Sequence, residues 1–470
     1  MELWWKWWEV VRLLRPACAR RRTFLWLAAA LAGVTVRPDL FGVTSIVRAL
    51  GLRPRFYDRL LDVFHSSALS LSKLTPLWVS VVMGLGSSLV RVNGRPVLVG
   101  DGLKTRKSGK KMPAVKKLHV TSSNQPRTIW GHSCQAVAIL VGSLGGCFAL
   151  PLACRIHEGL VFSNRDHRTL LDKMIALLES LGIRQEFYFV ADAYYASRRM
   201  ALPLLEKGHH LVSRVRSNAV AYLPAKPPSG RRPVGRPRFY GKKVPLRFLF
   251  ECSEAFTTIE SPVYGEKRVA LRIASYDLLW RPVGRLVRFV LVTHPVRGKI
   301  ILMSTDLTLS ATEVLRLYGL RFKIEVSFKQ SLRTLGAYAY HFWMRTMKPR
   351  KNRSGNQHLH RESQAYRESV RRTLAAYHRH IQIGLIAQGL VQYLSVRYPR
   401  LVWSHYGSWI RTIRPGRAPS EYVTAMALRN MLPEFLADDS EEAILAKFLP
   451  ERVDVTRTEG ARLIGEAEGR

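Results

Sequence analysis

The sequence predicts an α/β fold: a mixed sheet with helix cover, carrying a β-rich insertion and flanked by helical regions at both ends. Two observations carry this expectation. Between residues 96 and 215, short apolar runs of strand length alternate with stretches of helical period. Between 267 and 304, three β-patterned runs succeed one another with no helical stretch among them. A third observation concerns the partner. The chain has 470 residues with 74 Lys and Arg against 34 Asp and Glu, a net of +40 at neutral pH. Such self-repulsion disfavours a compact fold unless a polyanion is the working partner, and nucleic acid is the first candidate because neutralised phosphates release counterions.

Residues 1–90 read as helical, with Pro38, Gly51 and Pro54 as breaks. The apolar run 24–36 behind Arg20, Arg21 and Arg22 imitates a signal peptide, but it follows a Trp-rich amphipathic start (Trp4 to Trp8) and reads as a buried helix. PVLVG (96–100) is a short strand ending at Asp101, and 103–117 a basic loop holding Lys104, Arg106 and Lys107. The uncharged stretch 136–154 is long enough for a membrane span, yet Gly142, Gly145, Gly146 and Pro151 interrupt it, so it reads as a buried hairpin within 135–156. No transmembrane segment is expected. HRTLLDKMIALLESLG (167–182) is an amphipathic helix stopped by Gly182, and EFYFVA (186–191) is a strand ending at Asp192. A helix near 197–207 and a strand near 210–215 follow.

The stretch 224–245, rich in Pro, Gly, Arg and Lys, reads as a loop, and strands are expected at 267–276, 286–293 and 299–304. Ser310 and Glu313 form a capping box, opening a helix expected to run to about Thr334. Residues 361–397 read as mostly helical, and the acidic tail after 434 as frayed. The five cysteines, at 18, 134, 147, 154 and 252, form no C-x-x-C pair, which argues for a reduced cytoplasmic compartment. The pairs His358/His360 and His378/His380 lack further ligands at zinc spacing and read as surface or DNA-facing positions.

Asp101 and Asp192 each stand at the C-terminal end of an expected strand, where side chains leave the sheet edge and ligand sites collect. Two like charges on neighbouring strands are costly unless a divalent cation neutralises them. Glu325 lies in the helix opened by Ser310. Tyr318, Arg321 and Glu325 at i, i+3 and i+7 share one face of it, while Leu317, Leu320, Ile324 and Phe328 anchor an adjacent face. Asp306 is a rival carboxylate that reads instead as shaping the turn before the capping box. Gly235, Arg236, Pro237 and Arg238 resemble an AT-hook core, with a solvated basic loop as the plainer reading. Trp130 and Trp280 read as packing aromatics before base-stacking ones.

YGLRFKIEVSFKQ (318–330) resembles the Y-x-x-R-x-x-x-E signature of bacterial insertion-sequence DDE transposases. The lead-in MSTDLTLSATEVLRL (303–317), the first-Asp segment 97–119 and the second-Asp segment FVADAYYAS (189–197) are similar to the same family, in the same order, over about residues 90–345. The resemblance implies an RNase H-like core in which Asp101, Asp192 and Glu325 are catalytic and hold two Mg²⁺ ions, with Mn²⁺ able to substitute. It implies that Tyr318 and Arg321 contact DNA near the scissile phosphate. The family signature usually carries Lys seven residues after the Glu. Here Leu332 stands there, with Lys329 and Arg333 on neighbouring turns as the nearest cations.

The expected organisation is therefore a helical N-terminal DNA-binding region (1–90), with a helical cap on the core as the alternative. An RNase H-like catalytic domain (91–345) with its insertion at about 217–300 follows, then a helical C-terminal region (346–470). The expected partner is double-stranded DNA, both transposon terminal inverted repeats and target, engaged by a homodimer on paired ends. Lys104, Arg106, Lys107, Arg236, Arg238, Lys329 and Arg333 are the expected additional DNA contacts, and the expected location is cytoplasmic, on the nucleoid. The alternatives are a DNA-binding descendant that no longer cuts and another RNase H-like nuclease such as a junction resolvase.

Overall fold

A computed structural model of the chain describes residues 1–120, 128–227, 235, 237–263, 265–351, 354–438, 440, 442 and 444–465. Helices α1 to α5 are Glu2–Arg12, Arg21–Val36, Gly42–Ala49, Tyr57–His65 and Leu71–Met83. Helices α6 to α9 are Leu170–Glu179, Arg198–Glu206, Ala311–Leu320 and Lys323–Arg333, and α10 to α12 are Gln364–Arg397, Pro399–Ser404 and Glu421–Leu436. Strands β1 to β5 are Arg91–Val92, Arg95–Arg106, Lys116–His119, Thr128–Ser143 and Gly146–Ile156. Strands β6 to β10 are Leu160–Val161, Tyr188–Ala191, His210–Val215, Val220–Pro224 and Tyr240–Pro245. Strands β11 to β15 are Thr257–Glu260, Ala270–Trp280, Arg285–His294, Gly298–Ser304 and Gln357–His358. The fold is mixed α/β with helices at both ends. In chain order strand β2, hairpin β4–β5, α6, β7, α7 and β8 precede the helices α8 and α9.

The chain forms two compact units. The first comprises Met1–Val90, Gly102–Ile183 and Glu325–Arg470; the second comprises Arg91–Asp101 and Arg184–Ile324.

The first unit is built around α10, which packs on β5, α2, α4 and α12 and is buried continuously from His380 to Gln392. Its two glycines mark close approaches: a Cβ at Gly384 would lie 2.4 Å from the Ala337 backbone, and one at Gly389 would lie 2.2 Å from the Trp78 ring. The apolar run 24–36 is the buried helix α2, as the sequence indicates, and no described helix is long and apolar enough to cross a membrane. The Trp-rich start is amphipathic α1: Trp4, Trp7 and Trp8 are buried, and Trp4 Nε1 donates to the Leu428 carbonyl (2.7 Å) while its ring stacks on Phe435.

Two expectations fail in this unit. The described part of the tail after 434 does not fray: Trp5 Nε1 donates to Asp438 Oδ2 (2.9 Å), and Leu445, Phe448, Leu449 and Val453, which follow the acidic cluster, are buried. Nor do His378 and His380 face outward. His378 Nε2 accepts from the Ile156 amide (3.0 Å), and His380, 1% exposed, donates from Nδ1 to the Ala337 carbonyl (3.1 Å), because α10 is covered nearly all round.

The second unit is a mixed sheet in the order β10-β9-β12-β13-β14-β8-β7-β2, with β1 beside β2 and β11 beside β12. β2, β7 and β8 run parallel, and β14 returns antiparallel to β8. The insertion thus extends the core sheet by antiparallel strands. Strands β12 to β14 fall where the pattern predicts them, whereas β9, β10 and β11 go unread. β10 lies within the stretch read as loop. Tyr240 and Val244 alternate with Lys242 there, and lysine on an edge strand blocks further pairing. Helix α8 starts at the expected box: Ser310 Oγ accepts from the Glu313 amide, and the Glu313 carboxylate accepts from the Ser310 amide (both 3.2 Å).

Candidate active site

Asp101 and Asp192 reach one edge of the second unit's sheet through strand register. β2 and β7 pair Val97 with Tyr188, Leu98 with Phe189 and Val99 with Val190. Two residues further on each chain come Asp101 and Asp192, so both carboxylates occupy equivalent pleat positions just past the end of β7. β2 does not stop at residue 100 as expected; it continues to Arg106 and carries Asp101 within it. The next parallel strand fixes the Asp192 backbone: Ser213 Oγ, buried, donates to the carbonyls of Ala191 (3.1 Å) and Asp192 (2.7 Å). Asp192 Oδ1 accepts from the Tyr194 amide (3.0 Å), closing a tight turn that holds the carboxylate at the strand tip.

Arg321 closes this edge. Its Nη1 donates to Asp101 Oδ2 at 2.9 Å, with side chains only 17% and 21% exposed. Arg321 also lies 5.9 Å from the Tyr318 ring centroid. Burial pushes the Tyr318 phenol up, while Arg321 and Arg214 pull it down and Asp192 pushes it up again, so all four groups share one electrostatic neighbourhood. An open cleft of about 690 Å³ runs here, lined by Asp192, Arg214, Arg216, Asn218, Tyr318 and Arg321. Sequence reasoning missed Arg214 and Arg216. The signal was present in RVRSN, where two arginines alternate across the tip of a strand next to that of Asp192.

The expected single helix from 310 to 334 is two. α8 ends at Leu320, the amides of Arg321 and Ile324 each bond to the carbonyl three residues back, and α9 begins at Lys323. The turn between them is tightened at Arg321–Phe322. The anchoring residues Leu317, Leu320, Ile324 and Phe328 are all buried, as expected. Asp101, Asp192, Tyr318 and Arg321 belong to the second unit and Glu325 to the first. On α9 Glu325 is exposed, with Lys329, Leu332 and Arg333 exposed on the following turns. Among the described residues no three His, Cys, Asp or Glu side chains converge to hold a metal ion. Asp101 and Asp192 nonetheless offer carboxylate oxygens in adjacent register, the ligand type Mg²⁺ selects.

Other expected residues scatter. Lys104 and Arg106 are exposed, and Lys104 Nζ donates to the His119 carbonyl. Arg238 is exposed, and Arg236 lies outside the described residues. Trp280 is buried, and Trp130 lies beneath the Arg350 guanidinium (5.7 Å). Asp306 sits at the opposite end of the strands, roughly 20 Å from Asp101 by strand rise, where it accepts from the Thr308 amide (2.8 Å) and the Tyr188 hydroxyl (2.5 Å) as a turn-shaping residue.

Lys107 corrects the expectation of a phosphate contact. The pleat that exposes Lys104 and Arg106 turns Lys107 inward, where its Nζ donates to the carbonyls of Tyr338 (2.5 Å) and Tyr340 (3.2 Å) and lies 3.6 Å from the Tyr340 ring centroid. Burial pushes its pKa down from 10.5 to about 7. The unfolded chain therefore binds more protons than the folded one between those values, so this group makes stability lowest below about pH 7 and lets it rise toward 10.5. Lys107→Met is expected to remove roughly 2–3 kcal/mol of the rise between pH 7 and 9. Urea unfolding of both proteins at the two pH values measures it, and parallel pH profiles would contradict the assignment.

The chain matches the DDE superfamily endonuclease family over residues 15–275, more than half its length, and belongs to that family. The matched span contains Asp101 and Asp192 and ends before Tyr318, Arg321 and Glu325. No curated protein matches the sequence. Among solved structures the chain is similar to the cryo-EM structure of a piggyBac transposase synaptic complex with hairpin DNA. The identity is 11%, covering 92% of this chain and 76% of that one, with a TM-score of 0.37.

Proposed function

We propose that the chain is a transposase of the insertion-sequence type, which cleaves DNA at terminal inverted repeats and joins those ends to target DNA. The observation that carries this reading is the register of β2 and β7. In a DDE superfamily endonuclease, it sets Asp101 and Asp192 at equivalent positions on adjacent strands, Asp192 lining a cleft whose other charged side chains are arginines. Asp101, Asp192 and Glu325 hold the two Mg²⁺ ions in this reading, with Mn²⁺ able to substitute. Divalent cations held by these carboxylates would supply activation of a water or 3′-hydroxyl and charge stabilisation of the leaving oxygen.

The chain's own groups do the rest. Arg321 orients Asp101 through its hydrogen bond and lines the cleft beside it. Arg214, Arg216 and Tyr318 line the path of the backbone beside the scissile bond. Lys104, Arg106, Arg238, Lys329 and Arg333 supply further phosphate contacts from exposed positions, and Arg236 joins them in the AT-hook-like stretch. Pairing two ends calls for a homodimer, acting on DNA in the cytoplasm of a bacterial cell.

The experiment uses the full chain and a duplex carrying the DNA that flanks its gene. Nicking at the end of a short inverted repeat in Mg²⁺ or Mn²⁺, abolished by chelation, is the expected result. Preferential cutting of a four-way junction would replace this reading with a resolvase, and repeat binding without nicking in either metal would replace it with a non-cutting descendant.

A further inference from the structure

The loop between α11 and α12 carries a patch that the cleft does not explain. Trp409 is 94% exposed, Ile410 57% and Ile413 51%, and every residue from 409 to 417 faces solvent. Both feet of the loop are fixed. Trp403 Nε1 donates to the Arg417 carbonyl (2.8 Å), and Asn430 Nδ2 donates to the carbonyls of Tyr406 (2.9 Å) and His405 (3.4 Å). Tyr406 is fully buried between them. A firmly held base thus presents three large apolar side chains to water, a cost that a packed domain ordinarily avoids.

Charge identifies what covers them. Arg411, Arg414 and Arg417 interleave with the apolar residues, Arg397 and Arg400 lie just before the loop, and no Asp or Glu occurs between Glu368 and Glu421. Arginine's planar fork suits phosphate. An apolar wedge flanked by arginines is the arrangement that enters between base steps of a bent duplex. An interfacial membrane anchor would present its apolar face on an amphipathic helix, whereas 409–417 contains neither helix nor strand.

We propose that Trp409, with Ile410 and Ile413, inserts into the stack of duplex DNA while Arg411, Arg414 and Arg417 hold the flanking phosphates, making this loop a second DNA contact that deforms the duplex. It rests on the reading that DNA is the substrate.

The test measures binding of the full chain to a 30-base-pair duplex by fluorescence anisotropy, with 2-aminopurine in a second copy to report unstacking. Trp409→Ala, at a site too exposed to disturb the fold, is expected to weaken binding about tenfold, in line with base–aromatic contacts, and to abolish the 2-aminopurine rise. Arg411→Ala/Arg414→Ala/Arg417→Ala is expected to lower the salt slope of log affinity by about 2 to 3, near 0.9 for each phosphate released. Unchanged affinity and unstacking in Trp409→Ala, with metal-dependent nicking intact, would overturn this proposal alone. So would Trp409-dependent binding to phosphatidylserine vesicles with duplex affinity unaltered, which would make the patch a membrane contact. Failure of the unaltered chain to bind any duplex would overturn the DNA reading together with it.

Discussion

Asp101→Ala is expected to lower metal-dependent strand cleavage about 10³-fold or more, roughly 4 kcal/mol of transition-state stabilisation, while repeat binding changes only a few-fold. The carboxylate does two jobs in the structure. It stands in register with Asp192, and it accepts the Arg321 guanidinium at 2.9 Å. The variant removes both, and the ion pair, with side chains 17% and 21% exposed, lies between a surface pair and a buried one. Its loss is expected to cost the fold about 1–2 kcal/mol. Asp101→Asn separates the roles: the amide oxygen still accepts from Arg321, so stability stays near that of the unaltered chain, whereas the neutral ligand no longer offsets cation charge and cleavage falls as in the alanine variant. Cleavage rates with thermal unfolding of both variants measure this. A cleavage loss in Asp101→Ala that Asp101→Asn restored would assign Asp101 to structure and not to chemistry.

Arg37→Ala is expected to have the largest effect on stability, about 4 kcal/mol. Arg37 is 3% exposed, and its guanidinium donates to the carbonyl of Gly42 (3.1 Å), Ser45 Oγ (3.0 Å) and the carbonyls of Leu335 and Gly336 (2.9 Å for the latter). One side chain thereby ties α2 and α3 to the segment after α9. Burial pulls its pKa down to about 10, against the Asp39 carboxylate, which raises it, so the guanidinium stays charged at neutral pH. Gly336 is part of the same fit: its φ is +64°, and a Cβ there would come 2.4 Å from Arg37 Nη2. Truncation leaves buried carbonyls with no replacement donor, and Arg37→Lys recovers only part of the loss because a point charge cannot bridge the same set of acceptors. Calorimetric unfolding measures both variants. A midpoint within a degree of the unaltered chain's in Arg37→Ala would contradict this account.

The core was legible in sequence where pattern and cap agree. The apolar runs of β7 and β8, the Leu stripe of α6 and the Ser310–Glu313 box fix their elements locally, and each lies within a few residues of its expected place. The place of Asp192 was legible for the same reason, since a strand end followed by Asp is a local event, whereas β2 runs on past Asp101 to Arg106. What sequence did not reveal depends on tertiary context. The break at Arg321–Phe322 carries no Gly or Pro, so the run from Ser310 to Thr334 reads as one helix. Lys107 looks like its basic neighbours until the pleat of β2 turns it under Tyr340. β10 hides because its strand formers sit among lysines and prolines. His378 and His380 look like surface residues until α10 is seen covered on most sides.

The central claim is that Asp101, Asp192 and Glu325 cleave DNA through bound divalent cations, and sulfur substitution at the scissile phosphate tests it most directly. Sulfur binds Mg²⁺ poorly and the softer Mn²⁺ better. The unaltered chain should cut a phosphorothioate repeat end about 10²-fold more slowly than the oxygen substrate in Mg²⁺ and recover most of that loss in Mn²⁺. The Asp101→Ala, Asp192→Ala and Glu325→Ala variants should cut in neither metal. Equal rates on both substrates in both metals, or cleavage that survives all three substitutions, would contradict the account.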